Sequence, residues 1–293
     1  MSLKVQMVIR SDAGRVPGGD VIQMEETRAA LRKLGVEADV RLADALEGDC
    51  RCDLVHIFNL QTAEESLRAM EWAEKHGLPA VLSPIYWDSL PNMFRDTSSL
   101  RAAWRALQRY LGLKISYQLY AGWQRLHYPV SATWQIQRQL LKSAKVILPN
   151  SKAEAAQVLR DFRLGLDASR PSIRVVPNAV RLDLFEPKPE ADTGFMSQLG
   201  VKEFVLQVGR IAPEKNILGL IEVLFDDPIP IVFIGQASPY YSEYVKACHV
   251  RAARRGRVHF IDQIPHVSLP GIYAAATIHV LPSWRENSWL SQP

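Results

Sequence analysis

Short apolar runs alternate along the chain with stretches whose apolar positions recur every three or four residues. "KVQMVIR", "ADVRL", "DLVHIF", "PAVLSPIYW", "AKVILPNS" and "SIRVVPN" read as strands in the first part, and "FVLQVG", "IPIVFIG", "RVHFI" and "TIHVLPS" in the second. Helical patterns fall between them. Met24, Thr27, Leu31 and Leu34 share one face of a helix that stops at Gly35, and "EESLRAMEWAEKHG" closes at Gly77. Ile217, Leu220, Ile221 and Leu224 fall at i, i+3, i+4 and i+7 of a helix expected over 214–225, with further helices at 240–255 and 269–276. Strand and helix alternating from end to end predict an α/β fold with parallel sheets. Residues 186–200, "EPKPEADTGFMSQLG", carry Pro, Gly and charge with little periodicity and read as a linker. The expected organisation is a Rossmann-like domain at 1–185 and a second one at 201–293, facing each other across a cleft.

The chain has 293 residues, 47% of them hydrophobic, which is long enough for two such cores. No run approaches the ~20 apolar residues of a membrane span. Cys50, Cys52 and Cys248 form no even framework and Cys50-x-Cys52 lacks metal-ligand spacing, so a reducing cytoplasm is expected. The net charge of +4 is too mild to imply nucleic acid, but its distribution is uneven, with no Asp or Glu from Thr97 to Ala153. In that stretch Arg101, Arg105 and Arg109 recur on one helical face and Trp104, Leu107 and Leu111 on another. Two readings stay open for 97–134: an interfacial helix on anionic lipid, or a solvated basic face over a core stripe.

Candidate chemistry centres on "FVLQVGRIAPEKN", where a strand hands over to a helix with Pro213, Glu214 and Lys215 in its first turn. Cations at a helix N-terminus oppose the macrodipole, so Arg210 and Lys215 converging there make sense around an anion, with phosphate the leading candidate. A pair of merely solvated turn charges beside Glu214 is the alternative. Gly18 and Gly19 open the first helix, either to bring backbone N–H groups to a ligand or as an ordinary tight turn. Asp88, at a strand tip, suits either an acceptor hydroxyl or a cap.

"VVPNAVRLDLF", "VGRIAPEKN", "IVFIG", "RVHFIDQIP" and "IYAAATIHVLPSWRE" follow one another in the order and spacing of the GT-B retaining glycosyltransferases of family 4, also called group 1. The chain resembles that family over nearly its whole length, most strongly from Val175 to Glu286. The resemblance implies transfer of a sugar from a nucleotide-diphosphate-sugar donor to a saccharide or lipid-linked acceptor, without a metal or other cofactor. It gives Arg210 and Lys215 the donor diphosphate, Ile264 the nucleotide base, Glu286 the donor sugar, and Gly18 and Gly19 a phosphate or the acceptor. The family's second carboxylate would fall at 294, beyond Pro293, and Trp289 stands where the family has a glycine. A shortened domain with little transfer activity is therefore expected. Two other readings accompany it: a non-catalytic relative that binds a nucleotide or a partner, and a GT-B nucleotide-sugar epimerase.

Overall fold

A computed structural model of the chain describes residues 2–16, 18–48, 51–88, 90, 101–164, 171–179, 181, 185, 194–262 and 264–283, with backbone alone at 101–106, 128 and 196. The chain divides into two compact units, Met1–Asn178 and Ala179–Pro293.

The first unit runs β1 (Lys4–Ile9), α1 (Gly19–Lys33), β2 (Glu37–Leu42), β3 (Leu54–Phe58), α2 (Ala63–Lys75), β4 (Ala80–Ser83), α3 (Arg101–His127), α4 (Ala132–Ser143), β5 (Val146–Ile147), α5 (Lys152–Asp161) and β6 (Ser172–Ile173). Its six strands form one sheet of order β2-β1-β3-β4-β5-β6, and every pairing is parallel. Such a sheet is covered on both faces, which is why its central strands read as continuous apolar runs. Val8, Val55, Ile57 and Leu82 meet Met70 and Ala73 of α2 and Leu140 of α4 on one face. Val5, Met7 and Ile9 meet Met24 of α1 on the other. The helix stops follow the glycines: Gly35 and Gly77 adopt φ of +80° and +66°. Each closes a Schellman motif, with Val36 N donating to Leu31 O and Leu78 N to Ala73 O.

Inside this core, His56 of β3 stacks on Phe58 and its Nε2 lies 2.9 Å from Ser83 Oγ. Burial holds its pKa down at about 3, so the ring is neutral and structural.

The second unit contains α6 (Phe195–Leu199), β7 (Val205–Val208), α7 (Ile217–Val223), β8 (Ile231–Ile234), α8 (Ser242–Arg255), β9 (Val258–Ile261), α9 (Leu269–Ala275) and β10 (Ile278–His279). The sheet order is β10-β7-β8-β9, again all parallel. Val205, Ile231 and Phe233 face Ile217 and Ile221 of α7 and Cys248 of α8. Phe204, Leu206, Val232 and Ile234 face Phe195 and Ile272.

Three expectations change. The helix expected over 214–225 is split: Pro213–Lys215 form a 3-10 turn, Asn216 turns left-handed at φ 53°, and α7 begins only at Ile217. Lys215 is thus not in the first turn of an α-helix. Of the expected linker 186–200, residues 186–193 lie outside the described residues, while Phe195 of α6 is buried against Phe204. Cys52 is disulfide-bonded, where no bridge was expected, and Cys248 is a buried free thiol. In the basic insertion, α3 is two helical segments broken at Gly112, whose φ of 75° and ψ of 164° are non-helical.

Candidate functional site

In an open parallel sheet, ligands bind beyond the carboxyl ends of the strands where the strand order reverses. The second sheet reverses between β7 and β10, which flank one another although they are its first and last strands. Gly209, Arg210 and Lys215 follow β7 at this point, and Pro282 and Ser283 follow β10.

The junction after β7 is built by close backbone approach. Gly209 N donates to Ile234 O at 2.8 Å, and Ile211 N to Gln236 O at 2.9 Å. At Gly235 (φ +148°) a Cβ would stand 2.3 Å from Gly209 O, so only glycine fits there. At Gly209 (φ +147°) a Cβ would be 3.5 Å from Lys215 Cε, so the Lys215 chain lies along that glycine, beside Arg210. Both cations are half-buried. The turn that carries Lys215 is pinned from inside. Buried Gln207 donates Nε2 to Lys215 O at 2.8 Å, while its Oε1 has no hydrogen-bond partner among the described residues. Asn216 Nδ2 then donates to Pro282 O at 3.1 Å, tying the β7 junction to the loop after β10. Ser283 Oγ is buried there with no partner among the described residues. A lysine chain over a backbone too tight for side chains, at a strand end that also carries Arg210, can hold an extended anion.

The first sheet reverses between β1 and β3. At their carboxyl ends Arg10 donates Nε to Asp20 Oδ2 at 2.7 Å, and Asn59 Nδ2 reaches the same oxygen at 3.0 Å. Burial opposes both charges. The Arg10 bonds and charge nevertheless hold the Asp20 carboxyl below its ordinary range, and Asp20 with Asp12 raises Arg10. Gly18 is the N-cap of α1 in an extended conformation, and its carbonyl accepts from Val21 N and Ile22 N. Gly19 is the first helical residue, followed by Asp20, so the negative charge a helix N-terminus favours is already supplied by the chain. Nearby, buried Glu154 accepts from Tyr86 N at 2.7 Å and Asn150 N at 2.6 Å. Burial lifts its pKa against the pull of those two bonds.

The structure therefore brings Arg210 and Lys215 to one strand end but leaves Gly18 and Gly19 in the other unit. Ile264 follows β9 and packs its side chain on the Phe204–Ile272 cluster. Asp88 is buried and accepts from Leu90 N at 2.9 Å, the geometry of a cap. Glu286 and Trp289 lie outside the described residues. Sequence reasoning missed Gln207, Asn216, Gly235 and the Arg10–Asp20–Asn59 group. Only Gly235 had a visible signal, since both "FVLQVG" and "IPIVFIG" end in glycine. A hollow lined by Lys202, Asp227, Pro228 and Arg257 lies at the opposite, amino-terminal edge of the second sheet, away from these strand ends.

No family model matches the chain. It is 27% identical over 157 residues to the O-antigen chain mannosyltransferase B of Escherichia coli, covering 50% of this chain and 39% of that protein. It is 24% identical over 168 residues to the D-inositol 3-phosphate glycosyltransferase of Corynebacterium diphtheriae, covering 52% of this chain and 38% of that one. The match thus spans about two fifths of the length of these curated relatives. Among solved structures, sucrose-phosphate synthase of Thermosynechococcus elongatus superposes with a TM-score of 0.67 at 16% identity, over 97% of this chain and 76% of that one. HepE of Anabaena, solved in complex with UDP and glucose, gives 0.64 at 17% identity, over 97% and 75%. The two all-parallel Rossmann-like units thus have the GT-B fold, and over about half the chain the sequence is similar to glycosyltransferases.

Proposed function

We propose that the chain takes a nucleotide-diphosphate sugar at the β7/β10 strand ends and serves sugar transfer, with retention, to a saccharide or lipid-linked acceptor. The observation that carries this reading is the Lys215 side chain lying along Gly209, beside Arg210, where the Gly235–Gly209 approach leaves no room for a side chain. UDP and glucose in the HepE structure support a donor of this class.

In the proposed reaction the bond between the sugar's anomeric carbon and the diphosphate oxygen breaks, an acceptor hydroxyl oxygen forms the new bond on the same face, and the hydroxyl proton passes to the departing diphosphate. Negative charge grows on the departing diphosphate. The Gln207 bond to Lys215 O holds the turn that carries Lys215 in place, and in this reading Lys215 and Arg210 stabilise that charge. Glu286, outside the described residues, is assigned to the sugar, and the backbone at Ile264 to the base. Gly18 and Gly19 are assigned to the acceptor side, because Asp20 already occupies the end of α1.

Calorimetry with UDP, GDP and ADP tests the clamp. Arg210→Ala or Lys215→Ala removes a charge-assisted bond of about 1.5–3 kcal/mol and weakens binding of the preferred diphosphate roughly 10- to 150-fold, with folding little changed. Affinities equal to the parent's would overturn the assignment. A turnover assay across several nucleotide sugars then reads whether binding leads to transfer.

A further inference from the structure

The second segment of α3, after the break at Gly112, is apolar on the wrong side. Ser116, Tyr120 and Ala121 form its buried face. On the adjoining face, Ile115, Leu119, Trp123 and Leu126 recur at i, i+4, i+8 and i+11 and are 43–73% exposed. Single exposed apolar residues are ordinary, but four in register along one helix are not scatter. Exposed Lys114 and Arg125 stand on one flank of this stripe, Arg125 with one guanidinium nitrogen 3.9 Å from Asp88 Oδ2, and exposed Arg109 precedes the break. From Thr97 to Ala153 the sequence has nine Lys or Arg and no Asp or Glu.

We infer that this segment docks on an anionic lipid surface, with the Ile115–Leu126 stripe in the acyl boundary and the cations among the headgroups. Charge selects the occupant. A second copy of the chain would bring Lys114 and Arg125 against the same cations across a symmetric contact. A nucleic-acid duplex offers phosphate but no hydrocarbon for four large side chains. A bilayer of acidic lipids offers both together. No helix of the described residues is long and apolar enough to cross a membrane, so the contact lies in the surface. The inference stands on α3 alone and does not depend on the nucleotide site.

Vesicle flotation of the full chain tests it, using phosphatidylcholine alone and phosphatidylcholine mixed with phosphatidylglycerol. Binding is expected on the mixed vesicles, weaker on the neutral ones, and falling as salt rises. Leu119→Ser with Leu126→Ser should lower binding at least about tenfold without changing the melting temperature, since both side chains face solvent. Lys114→Glu is a second surface variant, expected to lose roughly fivefold or more. Equal binding to both vesicle types, or binding to neither, overturns the inference. So does a parent that sediments as a dimer and becomes a monomer in the double variant, because the stripe is then covered by another copy.

Discussion

A neutral imidazole sealed in a sheet makes His56 sensitive to acid. Its folded pKa is about 3 against 6.5 for a free side chain. The unfolded chain therefore takes up a proton below pH 6.5 that the folded chain refuses. Stability is fully present above 6.5 and is lost progressively as pH falls toward 3. At pH 5 this one group accounts for a loss on the order of 2 kcal/mol. His56→Asn keeps a partner for Ser83 Oγ and removes the titration, so the gap between its urea midpoints at neutral and acid pH should shrink. A variant as acid-sensitive as the parent would show that another group dominates. Asp20 acts in the same direction at lower pH, because Arg10 depresses its pKa and the stability of that pair is lost once the carboxyl protonates.

At the scale of elements, the ends of β7 and β8 are joined by contact between two glycines. Gly235→Ala would set a Cβ 2.3 Å from Gly209 O and force an L residue to φ +148°. A cost of about 2–5 kcal/mol is expected, together with loss of nucleoside diphosphate binding, because the strand end that presents Arg210 must move. Gly77→Ala is the comparison: its φ is +66° but nothing stands within 4 Å of the new Cβ, so only about 1 kcal/mol is expected. Calorimetric melting of both variants separates steric from conformational cost. The elements themselves were largely legible in the sequence, because burial on both faces writes strands as apolar runs and amphipathic helices write a period. The break at Asn216 was not. The apolar face of α7 continues smoothly through Ile217, and nothing in Pro213-Glu214-Lys215 distinguishes one 3-10 turn from the first turn of an α-helix. The anion argument from a helix dipole fails there, and the two cations stand instead on strand-end geometry.

For the whole molecule, the two-unit α/β plan followed from alternation alone, and the sequence itself puts Arg210 and Lys215 within one turn after β7. The polar groups behind them could not be read. Gln207 and Asn216 act through partners, Lys215 O and Pro282 O, that only the folded chain brings near. The same holds for Arg10 and Asn59, which meet Asp20 from different strand ends. Sheet order has a further consequence, and it concerns the time of synthesis. Phe204 N donates to Thr277 Oγ1, 73 residues later, and β10 is the neighbour that covers one edge of β7. At roughly 5–20 residues per second, β7 leaves the ribosome on the order of 4–15 seconds before β10 follows. Throughout that interval the strand leading to Arg210 carries a bare edge that other nascent chains can pair with. Soluble yield should therefore rise when translation across residues 209–277 is made faster by synonymous codons, while the purified protein melts at an unchanged temperature. An unchanged yield would mean that the waiting edge is shielded before its partner arrives.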